Sequence, residues 1–200
     1  MKRFAIHQPL KIGITGGIGS GKSFVCRRLA ALGFSVFDCD VEAKRIIRGD
    51  SQVKTALRSL VGDNVYDADG RLQKAVLAAF LCRGGESTAS VNRIVHPRVA
   101  LRFKEWVGEH ADEGRVFMEC ALLFESGFDR LVDVSALVYA PLEQRIRRVM
   151  QRDKIDRETA LHWISLQMDE EEKCRRADLL IDNGSDGRPD LSPLFLQNND

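Results

Sequence analysis

The string Gly16-Gly17-Ile18-Gly19-Ser20-Gly21-Lys22-Ser23 constrains this chain more than any other stretch. It satisfies the spacing G-x-x-x-x-G-K-[ST]. Glycines at these places let the backbone curl until successive N–H groups face one centre, a path that residues with a Cβ resist. A concave ring of amides suits an anion, and this spacing suits a chain of phosphates. Lys22 adds a flexible charge for β- and γ-phosphates, and Ser23 adds a hydroxyl oxygen for Mg²⁺. The helix that begins there contributes the positive end of its dipole.

Such a loop needs a strand before it and a helix after it. Lys11-Ile12-Gly13-Ile14-Thr15 reads as a short apolar strand. Beyond Ser23, Val25, Leu29 and Leu32 fall at i, i+4 and i+7 on one helix face, and Gly33 ends that helix. A dinucleotide-binding G-x-G-x-x-G fails on spacing, because the sixth place from Gly17 is Lys22. The class that follows is α/β with a P-loop NTPase fold.

Two hundred residues suit one such domain with a small insert, and 44% hydrophobic residues supply its core. A formal net charge of +1 gives no sign of a nucleic-acid or anionic-membrane partner. Five scattered cysteines, never as C-x-x-C, argue against a disulfide framework or a structural zinc. Reduced thiols in cytoplasm are expected. No signal peptide is evident, and no stretch nears the ~18 apolar residues of a membrane span.

Four further strands are expected, giving a five-stranded parallel sheet. Ser35-Val36-Phe37-Asp38 is the second and ends in Asp38-Cys39-Asp40. Carboxylates at a strand's C-terminal end lie where open α/β sheets place ligands. The same aspartates equally suit helix N-caps, and one residue can serve both ends. Val41 to Arg48 follows as a helix. From Asp50 to about Gly114 the apolar spacing is helical throughout, with breaks at Asp67–Gly70 and Arg83–Glu86. That run is too long for one crossover and reads as a helical insert over 50–114. By fold analogy, it would hold the acceptor. Within it, Val95-His96-Pro97 places proline in the first turn of a new helix. His96 is read either as a surface or cap residue or as a ligand.

Arg115-Val116-Phe117-Met118-Glu119 is a third strand closing on an acid. Glu119 is either a carboxylate reaching Mg²⁺ through water or an ordinary strand-end residue. Val134 to Ala140 is a fourth, buried strand, and Leu179 to Asp182 a fifth. Between them, 142–176 reads as a lid of helices. Leu142 to Arg152 turns Ile146, Val149 and Met150 inward. Its other face carries Arg145, Arg147, Arg148 and Arg152. Arg145 and Arg147 read as a solvated face. Arg148 and Arg152, four apart, share a face suited to closing on a phosphoryl group. In the irregular tail, only Leu191, Leu194 and Phe195 could dock. The core is then 11–49, 115–141 and 177–200.

Taken in order, these features resemble the dephospho-CoA kinase family, from about Lys11 to Asn183. The resemblance rests on Ile14 to Ser23, Asp38-Cys39-Asp40, His96-Pro97 and Leu122-Leu123-Phe124-Glu125. It rests also on Arg148 with Gln151-Arg152-Asp153, on Gln167-Met168, and on Arg176-Ala177-Asp178 leading to Ile181-Asp182-Asn183. Three places depart from the family pattern. Phe24 stands for a usual Thr, Ala121 for Pro, and Trp163 for an Arg between the lid and Gln167.

The resemblance implies transfer of the ATP γ-phosphoryl group to the ribose 3′-hydroxyl of dephospho-CoA. The alternative is another small-molecule P-loop kinase, for a nucleoside monophosphate, nucleoside or shikimate. A GTP switch lacks its N-K-x-D reader, since the nearest string is Asp153-Lys154-Ile155-Asp156. In the kinase reading, the amides of Gly17, Ile18, Gly19, Ser20, Gly21, Lys22 and Ser23 hold ATP, with Phe24 adjoining. Lys22 bridges β and γ, and Ser23 and Glu119 hold Mg²⁺. Asp40 is the base, with Asp38 second. Arg148 and Arg152 clamp from the lid, and Asn183 and Gly184 line the adenine pocket. Asp38, Asp40, His96 and Leu123 meet the acceptor. A monomer or small homo-oligomer acting on a small molecule in the cytoplasm is expected.

Overall fold

The computed structural model describes residues 8–184 and 188–196. Its centre is β1 (Leu10–Thr15), whose Ile12, Gly13, Ile14 and Thr15 are all buried. A strand apolar on both faces belongs inside a sheet covered on two sides. The strands β2 (Val36–Asp38), β3 (Arg115–Glu119), β4 (Val134–Tyr139) and β5 (Leu179–Asp182) complete a five-stranded parallel sheet in the order β2-β3-β1-β4-β5. Ile14 lies opposite Glu119 on one side and Ala136 on the other. The carboxyl ends of β1 and β3 therefore finish side by side, so the loop after β1 meets the acid after β3.

Two compact units emerge. The first holds the described residues up to Phe37 and from Val107 onward; the second runs from Asp38 to Trp106. In the first unit, α1 (Lys22–Ala31) covers one sheet face with Val25, Cys26 and Leu29. These pack with Ile12, Ile14, Phe117, Val138 and Ile181 in one apolar cluster. The tail closes it. Leu191 and Leu194 join the cluster, and Phe195 stacks near Phe34 at 5.3 Å between ring centres. The lid comprises α6 (Leu142–Asp153), α7 (Arg157–Ser165) and α8 (Glu170–Arg176). It has a small core of its own in Ile146, Val149 and Ala160, and Ile18 packs against it.

The second unit is helical, with α2 (Cys39–Gly49), α3 (Ser51–Val61), α4 (Lys74–Leu81) and most of α5 (Gly85–Glu109). Capping sets two of these starts. Asp38 Oδ1 accepts from the amides of Asp40 and Val41, so α2 begins two residues before the sequence pattern suggests. Asp50 caps α3 through the amides of Gln52 and Val53, and its other oxygen takes Arg98 at 2.6 Å. Pro97 does not start a helix, as the sequence suggests, but lies inside the continuous α5. Lacking an N–H, it leaves one backbone bond of the ladder unmade. The flanking Val91, Val95, Val99 and Phe103 are buried, and this apolar face carries the helix across the gap. Among the described residues, no helix is long and apolar enough to cross a membrane.

Burial alone would raise the Asp50 carboxyl, but the Val53 amide, Arg98 and the Gln52 amide outweigh it and hold it below the ordinary value. Its contribution is therefore full above the unfolded carboxyl range and is lost as pH falls through the folded value. Asp50→Ala should lower stability by about 1–2 kcal/mol in denaturant titrations at neutral pH, the usual cost of a lost N-cap. The deficit should shrink in acid.

Candidate active site

The loop between β1 and α1 is held from outside. Asn183 Nδ2 donates to the Ser20 carbonyl at 2.7 Å. Arg148 Nη1 donates to the carbonyls of Ser20 and Gly19 at 3.1 and 3.3 Å, and its Nη2 to the Asn183 carbonyl at 2.8 Å. Arg145 Nε donates to the Ile18 carbonyl at 3.0 Å. In a trans peptide, the C=O and the next N–H point in opposite directions. Drawing the Ile18 and Ser20 carbonyls outward thus turns the Gly19 and Gly21 amides inward. Those amides, with Lys22 and Ser23, meet no protein acceptor among the described residues. Gly21 has φ +95°, and a Cβ there would strike Asn183 Nδ2, so only glycine fits.

Two of the expected amides are otherwise engaged. The Ile18 N–H donates to Gln167 Oε1 at 2.7 Å, and the Ser20 N–H to the Gly17 carbonyl at 3.0 Å. The phosphate cradle is therefore narrower than the whole span from Gly17 to Ser23.

On the side of β3, Ser23 Oγ donates to Glu119 Oε1 at 2.7 Å, and Lys22 Nζ lies 3.4 Å from the same oxygen. The pair is a hydroxyl and a carboxylate, both hard oxygen donors that suit Mg²⁺. No group of three or more His, Cys, Asp or Glu able to hold a metal occurs among the described residues. An ion here would thus draw its remaining ligands from phosphate and water.

A sequence model of the dephospho-CoA kinase family matches residues 10–188. The chain belongs to the dephospho-CoA kinase family. It is 42% identical over 188 residues to the dephospho-CoA kinase of Bacteroides fragilis, covering 94% of this chain and 90% of that one. It is 37% identical over 184 residues to the dephospho-CoA kinase of Fusobacterium nucleatum, covering 92% of each. A solved dephospho-CoA kinase from Campylobacter jejuni superposes with a TM-score of 0.65 at 26% identity, covering 87% of this chain and 88% of that one.

Against this family's motifs, the first unit brings together the P-loop, Glu119, Arg148 and Asn183. Gly184 joins through its carbonyl, which accepts from Gln144 Nε2 at 2.7 Å. Arg152 is exposed and pairs with the adjacent Asp153 at 2.7 Å. Phe24 is an exposed side chain on the first turn of α1. Leu123 is corrected. It is fully buried over Gly13 of β1, so its side chain belongs to the core and presents nothing to an acceptor.

In the second unit, Asp38 spends one oxygen on the α2 cap, while the Asp40 carboxylate is exposed and accepts no hydrogen bond among the described residues. His96 is half-buried in α5, and burial holds its imidazole below the ordinary value.

Arg145 is the largest departure from the sequence reading. It is no solvated side chain but 3% exposed, pairing with Glu170 Oε2 at 2.6 Å. Sequence does hold one signal: Arg145 lies four residues before the inward Val149, on the same helix face. Lys173 went unremarked as well, and no accessible surface remains on it. Burial pushes its ammonium below the ordinary value. Glu125 and Glu170 pull it back, while Arg145 and Lys22 press it further down.

Gly21→Ala should weaken nucleotide binding while leaving the fold. Calorimetric titration with ATP should show affinity lower by about 10²-fold or more, since strain of about 1–3 kcal/mol adds to the displaced Asn183.

Proposed function

We propose that this chain transfers the γ-phosphoryl group of ATP to the ribose 3′-hydroxyl of dephospho-CoA, releasing ADP and coenzyme A. The observation that carries the reading is the inward set of amides at Gly19, Gly21, Lys22 and Ser23, set beside the Ser23–Glu119 oxygen pair, in a chain of this family. The amides and Lys22 take the phosphate oxygens and neutralise charge as it builds on them. Ser23 and Glu119 would hold Mg²⁺, which when bound would withdraw charge from the phosphates. Arg148, which donates to the carbonyls of Ser20 and Asn183, clamps the phosphates from the lid. Asn183 and Gly184 line the adenine side.

Asp40 is the general base. Its carboxylate is exposed, whereas the capping bonds of Asp38 already occupy one of that residue's oxygens. The hydroxyl proton passes to Asp40 as the new O–P bond forms and the bond to the β-phosphate oxygen breaks. His96 contacts the acceptor. The enzyme works in the cytoplasm on this small-molecule substrate, as a monomer or small homo-oligomer.

Incubation with ATP, Mg²⁺ and dephospho-CoA should give coenzyme A by mass, with little product when a nucleoside monophosphate or shikimate replaces the acceptor. Product of equal yield from those acceptors would overturn the assignment. Asp40→Asn should still bind ATP but turn over about 10²–10⁴ times more slowly, the usual share of a general base. Turnover within about tenfold of the parent would remove Asp40 from that role.

A further inference from the structure

The turn that leaves β5 is fixed at each of its main-chain polar groups. The Asn183 N–H donates to the Tyr139 carbonyl at 2.8 Å, and the Asn183 carbonyl accepts from Arg148 Nη2 at 2.8 Å. The Gly184 N–H donates to Asp182 Oδ1 at 2.7 Å, and the Gly184 carbonyl accepts from Gln144 Nε2 at 2.7 Å. Gly184 also lies against Pro141, where an added Cβ would come within 2.7 Å of the proline ring. Pro141 and Gln144 belong to the entry and first turn of α6. Gln144 makes its bond at a cost. A carbonyl can only accept, so the amide must turn its nitrogen to Gly184. Its own oxygen, Oε1, is then buried with no hydrogen-bond partner among the described residues. A buried orphan acceptor costs as much as one neutral hydrogen bond returns, or more. Folding stability alone therefore gives no account of Gln144, and such a group calls for another.

We infer that Gln144 is the positioning residue through which the donor site selects adenine over guanine, by fixing the Gly184 carbonyl as acceptor for the adenine 6-amino group. This rests on the reading that Asn183 and Gly184 line the base. Adenine carries an N–H donor at position 6, where guanine carries an oxygen acceptor. Both main-chain N–H groups of the turn are spent within the fold, so neither is left for a guanine oxygen. The Gly184 carbonyl keeps a second lone pair after Gln144 has taken the first, and Gly184 is only partly buried. A fixed acceptor rewards the amino group and opposes the oxygen. A site built to bond a substrate N–H rejects an analogue that lacks it, because the site's own polar group is then left unpaired.

The turn also shares a frame with the phosphate cradle. Asn183 Nδ2 holds the Ser20 carbonyl, and Arg148 joins the Asn183 carbonyl to those of Gly19 and Ser20. The place of the base edge is thereby set relative to the place of the phosphates. Gln144 has no bond to the P-loop itself among those described, so its effect reaches the nucleotide through Gly184 alone. Gln144 touches no part of the nucleotide in this scheme.

Binding of ATP, GTP and inorganic tripolyphosphate, each with Mg²⁺, is measured by calorimetry for the parent, Gln144→Met and Gln144→Glu, alongside the KM values for ATP and dephospho-CoA. Tripolyphosphate has no base and so reads the cradle alone, whereas a strut that merely shapes the P-loop would move it together with ATP. Gln144→Met keeps the length of the side chain and removes both the donor and the orphaned acceptor. It should unfold at the parent's denaturant midpoint and bind tripolyphosphate within about twofold of the parent, while the ATP to GTP affinity ratio falls about tenfold, the weight of one hydrogen bond. The KM for ATP should rise and that for dephospho-CoA should not. Gln144→Glu sets an acceptor against the Gly184 carbonyl and should lower the ratio at least as far. Equal weakening of ATP and tripolyphosphate, or an unchanged ATP to GTP ratio, overturns the inference while leaving the kinase reading intact. A parent chain that binds ATP no better than GTP overturns the adenine reading and the inference with it. Should Gln144→Met not fold, Gln144→Glu carries the comparison: a ratio lowered at least about threefold supports the role, and an unchanged ratio overturns it.

Discussion

The outward pull on three consecutive carbonyls governs this structure. A glycine-rich loop has no intrinsic reason to hold its amides convergent in water, where each N–H and C=O finds solvent and the glycines add conformational freedom. Here Arg145, Arg148 and Asn183 hold the carbonyls of Ile18, Gly19 and Ser20 from behind. The cradle is therefore shaped before any nucleotide arrives, and binding need not supply the energy to form it. The donors come from α6 and from the end of β5, elements far along the chain from the loop they shape. A motif of eight residues thus depends on the packing of the whole first unit.

That dependence explains how the lid and the loop share one fate. Ile18 is gripped at its N–H by Gln167, at its carbonyl by Arg145, and at its side chain by the lid's apolar cluster. A displacement of α6 or of the segment before α8 moves this residue with it. Conversely, a phosphate that shifts the first turn of the loop pulls on the base of the lid. The coupling is mechanical, through contacts a few ångströms long.

Much of this was legible in the sequence, and the remainder fails for physical reasons. The P-loop, the apolar strands and the helical insert announce themselves by spacing, because each is a local pattern with one favourable geometry. Leu191, Leu194 and Phe195 were recognisable as the docking residues of the tail because little else there is apolar. Arg145 misled, since an arginine among arginines reads as surface until Glu170, far along the chain, is seen to pair with it. Pro97 misled because local propensity forecasts a helix start, whereas the buried valines around it keep α5 continuous. Leu123 carried a family motif but serves the packing of β1. Which amides of the loop stay available could not be read at all, since Gln167 takes the Ile18 amide through a tertiary contact.

The placement of β1 has a consequence for how the protein is made. β1 sits in the middle of the sheet, between partners that follow it in the chain only from Arg115 and Val134. Its inner face is sealed by Leu191 and Leu194, close to the end of the chain. During synthesis, Ile12 and Ile14 therefore wait without neighbours while the helices of the second unit, built from local contacts, can already form. Until β3 and β4 have followed it, β1 is an apolar strand without partners, so the demand for chaperone protection falls on that interval.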